Sequence, residues 1–218
     1  MIPVDVALRI AKRRAETLGY ELVLPDSPYR QAVVHGLAAV HELTGSGWDL
    51  EHARQFTSVT LPGLGPAVDL LAQVPAVGGI LEAVSARLRR TSVFLSPAAV
   101  SDGLSLLATL AHEEGHVGDI ERGGVFWCIA YGVINEVRAG AECPCMGAGM
   151  ALRHGLGGVD VDTLEANAVA SLSAYGLAGE QLAHGIIRSN AMSLRLGADP
   201  GGIIAEFRAS LAREGIVL

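Results

Sequence analysis

Two histidines, His112 and His116, stand four residues apart in the stretch "TLAHEEGHVGDIERGG", and Glu113 directly follows the first. On a helix four residues make about one turn, so both imidazoles project from one face. Two neutral imidazoles placed this way can reach a single Zn²⁺ at about 2.0–2.1 Å each. Glu113 points about 100° away around the helix and is badly placed to bind the same ion. It is well placed to take a proton from a metal-activated water, the general-base role in metal-assisted hydrolysis. Each fixed residue of the pattern H-E-x-x-H therefore has a mechanical reason. Gly115, inside the same turn, costs about 1 kcal/mol against alanine, which implies close packing behind the metal face.

A catalytic zinc takes three protein ligands and keeps one position open. Four downstream residues compete for the third place: Asp119, Glu136, Glu142 and His154. If the helices on either side of Gly123-Gly124 form an antiparallel hairpin, His116 and His112 lie about 10 and 16 Å from the turn, leaning away from it. Glu136 starts about 20 Å past the turn and leans back to about 16 Å, the level of the metal. Glu142 arrives roughly 9 Å too far along, unless the return helix breaks between Gly132 and Asn135. Spacing thus ranks Glu136 ahead of Glu142 and keeps both. Asp119, one turn after His116, is expected to orient a histidine rather than bind metal. Arg138 is expected to pair with Asp119, Glu136 or Glu142. For a developing oxyanion the candidate donors are Tyr131, Tyr175, His154, His184 and Arg138, and spacing does not choose among them.

The motif needs a helix to carry it. "SPAAVSDGLSLLATLAHEEGHVGDIERGG" offers Ser96 as N-cap and Pro97 at N1, an apolar stripe through Leu106, Leu107 and Leu110, and a stop at Gly123-Gly124. The following "VFWCIAYGVINEVRAGAE" also reads as helix. Upstream, residues 4–18 are an amphipathic helix closed by Gly19, and "YELVLP", "FTSVTLP" and "TSVFLSP" read as strands. "SPYRQAVVHGLAAVHELTG" reads as a further helix, whose His35 and His41 do not share a face. Residues 63–90 form an apolar helical insertion, the one segment suggesting a protein partner or a membrane contact. The C-terminal part, 155–218, is helical. The whole is expected to be one domain over 1–218, α+β and mostly α-helical.

Composition narrows the classes. In 218 residues half are hydrophobic but only 5% aromatic, so the core must be built from Ala, Val, Leu and Ile. The net charge of −7 and the lack of a basic cluster argue against nucleic acid as a partner. Cys128, Cys143 and Cys145 are an odd set, and "CPC" is too closely spaced for a zinc knuckle, so they read as reduced thiols. No signal peptide and no transmembrane stretch is seen, which leads us to expect a cytoplasmic protein or part of an assembly.

"HEEGH" followed by "NE", with Glu136 twenty positions after His116, resembles the zincin metallopeptidases, and among them the Glu-liganded gluzincins. The resemblance covers about Thr91 to Glu142. It implies zinc held by His112, His116 and Glu136, with Glu113 as base and a peptide or protein as substrate. It also implies a zincin-like fold, in which "TSVFLSP" resembles the edge strand that packs on the motif helix and binds extended substrate. Gly140 departs from the gluzincin pattern, which has an acid there. "RAGAE" after "FWCIAY" resembles looser HExxH families in which a later glutamate is the ligand, so Glu142 stays open. The expected activity is hydrolysis of peptide bonds by a zinc-activated water. The alternative is a catalytically silent protein on a zincin scaffold, acting as a structural or interaction component of a larger assembly.

Overall fold

The computed structural model describes residues 1–31, 33, 58–61, 63 and 90–218. His35, His41 and almost all of the 63–90 insertion lie outside the described residues. Where one domain is expected, the chain groups into two compact units, Met1–Ala11 with Val100–Leu218, and Lys12–Ala99. Among the described residues the secondary structure is mostly helical with one small sheet.

The chain begins with α1 (Val4–Leu18), which ends at Gly19 in a left-handed conformation that favours glycine. In the second unit, β1 (Glu21–Val23), β2 (Val59–Leu61) and β3 (Ser92–Phe94) form a sheet of order β1-β3-β2. β1 runs parallel to β3, with Leu22 opposite Val93, and β2 runs antiparallel, with Thr60 opposite Val93. This corrects the reading of "TSVFLSP" as an edge strand: β3 is hydrogen-bonded on both sides, so it has no free edge to offer a substrate. Its residues are all buried, as a central strand's should be.

The first unit is a helical assembly. α2 (Gly103–Val133) starts later than the Ser96-Pro97 pair suggests. Ser96 does cap, but the amide its Oγ accepts is that of Ala99 in a short turn, at 3.1 Å. The N-cap of α2 is Asp102, whose carboxylate accepts the Ser105 amide at 2.8 Å. α2 breaks where a glycine pair stops it: Gly124 has φ 57° and ψ −148°, a conformation essentially restricted to glycine. A short helical segment, 125–133, follows. At Ile134 the backbone becomes extended (φ −116°, ψ 112°), and α3 (Asn135–Gly157) begins.

α3 lies antiparallel along the first part of α2. A methyl placed on Gly149 would meet the Ala108 carbonyl at 3.3 Å, and one on Gly157 would meet Leu104 at 2.3 Å. Gly149 faces backbone and so allows the close approach, whereas at 157 the neighbour is the flexible end of Leu104. Three further helices complete the unit: α4 (Val161–Ser171), α5 (Gln181–Arg195) and α6 (Ile203–Arg213). A 3-10 turn, Leu172–Tyr175, extends α4, and Asp199 caps α6 through the Ile204 and Ala205 amides at 2.8 and 2.9 Å. The core is aliphatic as composition requires: Leu106, Leu107, Leu110, Leu152, Ile187 and Leu211 are fully buried, and Phe207 is the one aromatic among the first unit's largest buried side chains. No helix among the described residues is long and apolar enough to cross a membrane.

Candidate metal centre

Helical spacing on two antiparallel helices builds the centre. α2 projects His112 and His116 from one face, and α3 projects Glu142 toward them. The histidine Nε2 atoms are 3.2 Å apart. Glu142 Oε2 lies 3.3 Å from His112 Nε2, and Oε1 lies 3.4 Å from His116 Nε2. Two ligand atoms bound tetrahedrally at about 2.0–2.1 Å lie roughly 3.3–3.4 Å apart. Each histidine nitrogen thus stands at about that spacing from the other and from one of the two Glu142 oxygens, which suits three side chains converging on one zinc ion. Glu142 Oε2 is buried and makes no hydrogen bond, a position that a cation would satisfy. The donor set, two imidazoles and one carboxylate, also suits zinc. Among the described residues no fourth His, Cys, Asp or Glu joins these three.

Glu136, ranked first by spacing, is exposed and outside the cluster. The correction has a single physical cause. The return helix does not run unbroken from Gly124; it restarts at Asn135 after the extended Ile134. That break removes the offset that had put Glu142 too far along. Asp119 binds Arg122 at 2.6 Å, yet its carboxylate also lies within 4.8 Å of a second group formed with His116 and Cys145. Arg138 pairs with no acid of the site. Instead it donates to the carbonyls of Tyr131, Gly132 and Tyr175 at 3.1, 2.7 and 3.2 Å. His154 and His184 are engaged elsewhere, with the carbonyls of Val159 and Ala178 at 3.0 and 2.9 Å.

The segment 125–133 supplies what spacing left open. Tyr131 donates its phenol to Glu142 Oε1, and its ring and that of Trp127 each lie 6.2 Å from the His116 ring. The opposite face of this segment is bare: Phe126, Ile129 and Val133 are 81%, 58% and 75% exposed. The signal for Tyr131 was present in the spacing, since Trp127 and Tyr131 are one turn apart and share a face. Cys145 was missed because it was read only as a reduced thiol. It stands one turn after Glu142, and its sulfur fills the space that Gly115 leaves open.

Charge is concentrated on Glu142. Burial opposes the ionised carboxylate, but contacts with His112 and His116 prevail and bring it down to about 2. Burial likewise pulls the His116 imidazolium down, and contact with Cys145 and Glu142 outweighs it, raising the group to about 11. Burial pushes the Tyr131 phenol up, and the Glu142 charge adds to this, so it stays a donor. The Tyr175 phenol is also raised, first by burial and then by the charges of Glu142 and Glu113. One phenol is thus within electrostatic reach of both Glu142 and the buried Glu113.

The chain matches no family model, no curated protein and no solved structure.

Proposed function

We propose that this protein is a zinc-dependent hydrolase of peptide bonds, with His112, His116 and Glu142 holding the metal and Glu113 acting as general base. The observation that carries this reading is the convergence of two Nε2 atoms, 3.2 Å apart, on the Glu142 carboxylate, whose Oε2 lies 3.3 Å from His112 and whose Oε1 lies 3.4 Å from His116. A zinc ion, when bound, supplies Lewis acidity toward the scissile carbonyl and lowers the pKa of a water. Glu113 takes the proton of the attacking water and passes it to the leaving amine. Tyr131 holds the Glu142 carboxylate in direction. Tyr175, whose phenol feels the charges of Glu113 and Glu142, is a candidate donor to the developing oxyanion. Peptide bonds are the substrate that the motif's resemblance implies.

Elemental analysis tests the ligand set. About one zinc per chain is expected in the native protein and in Glu136→Ala, and none in His112→Ala or Glu142→Ala. Glu113→Gln should retain the zinc and lose hydrolysis of a peptide library by at least a hundredfold. Full activity in Glu113→Gln would sink the mechanism. A second reading, a silent scaffold component with a structural metal, is favoured by the bare apolar face of Phe126, Ile129 and Val133. It predicts zinc retention with no Glu113-dependent hydrolysis.

A further inference from the structure

Gly115 directly precedes His116, and a methyl placed on it would stand 2.4 Å from Cys145 Sγ. A side chain at 115 would displace that sulfur from its present position. Cys145 follows Glu142 by one turn of α3 and so shares the face that presents the carboxylate. Its thiol is buried, and its sulfur lies 3.8 Å from His116 Nδ1. A histidine that gives the Nε2 lone pair to a metal keeps its proton on Nδ1, and that proton needs an acceptor. The Asp119 carboxylate is in the same cluster, but its Oδ1 is held by Arg122 at 2.6 Å.

We propose that Cys145 is a positioning residue whose sulfur accepts the Nδ1–H of His116, fixing the tautomer and direction of that metal ligand. A carboxylate or a backbone carbonyl more commonly does this. The sulfur reaches the ring because α2 carries no side chain at 115. The proposal rests on the reading of His112, His116 and Glu142 as a metal site, and it explains a mid-helix glycine that otherwise destabilises α2. Cys143, two residues earlier, is fully buried and forms no part of the device.

The test compares Cys145→Ala and Cys145→Ser with the native chain. Zinc affinity is read by competition with a chromogenic chelator, and ligand geometry by the visible spectrum after Co²⁺ substitution. Cys145→Ala should weaken zinc binding ten- to hundredfold and shift the cobalt bands. Cys145→Ser, whose hydroxyl accepts the same proton, should recover most of the affinity and the native bands. Thermal unfolding of the metal-free proteins separates positioning from packing. A packing role alone lowers the Tm of both variants while affinity per folded chain stays native, which would overturn the proposal. A second metal equivalent lost in both variants would assign the sulfur to a metal and overturn it too. A native chain that binds neither Zn²⁺ nor Co²⁺ fails at the first step, and that failure belongs to the metal reading itself.

Discussion

At the scale of single residues, the proposed centre works by exchanging a proton for a metal. In the apoprotein the His116 ring, raised to about 11, is charged at neutral pH and faces the Glu142 carboxylate at 3.4 Å. A raised pKa stabilises the fold fully below the ordinary histidine value, and that contribution is lost as pH rises through about 11. Zinc requires the neutral ring, so binding expels the proton. Calorimetric titration at pH 7 in buffers of different ionisation enthalpy should report about one proton released per zinc. Affinity should rise about tenfold per pH unit across the neutral range. Proton-free binding would show that the His116 ring is already neutral in the apoprotein. The histidine pair and Glu113 were legible in the sequence because their relation is local, a single turn of helix. The choice between Glu136 and Glu142 was not, because it depends on one extended residue, Ile134, that no strong breaker marks. Cys145 was hidden for a related reason. Its partner is the missing side chain of Gly115, on another helix.

At the scale of elements, two interruptions place the ligands: Gly124 and Ile134 free the segment 125–133 from the axes of both longer helices. Gly124→Ala puts a side chain where φ is 57° and ψ −148°, and should destabilise the protein by about 1–3 kcal/mol. Gly132→Ala, in the same segment with open space around it, should be neutral or stabilising by up to about 1 kcal/mol. Urea unfolding of the two variants gives the comparison, and equal losses would show that the break is not strained. The stop at the glycine pair was readable from composition. The start of α2 was misread by about one and a half turns, because Ser96 and Asp102 are both good caps and only Asp102 is followed by continuous helix.

For the whole molecule, the mostly helical character followed from apolar periodicity, and the positions of α1 and all three strands were recognisable. The order of the strands was not. Pairing β1 with β3 across some seventy residues is a long-range outcome that no local pattern encodes. The three proposed ligands all belong to the unit containing Val100–Leu218. Scanning calorimetry with free zinc at about a hundred times its Kd should stabilise that unit by about 2.7 kcal/mol. No shift would show that these three residues do not hold zinc.

Arg138 gives the arrangement a mechanical side. One guanidinium is tied to the carbonyls of Tyr131 and Gly132 at the end of one segment and to that of Tyr175 on another. Tyr131 and Tyr175, far apart along the chain, therefore hang from the same bracket. Whatever loosens that bracket slackens both phenols together, so they behave as a single part with one tolerance rather than as two independent groups.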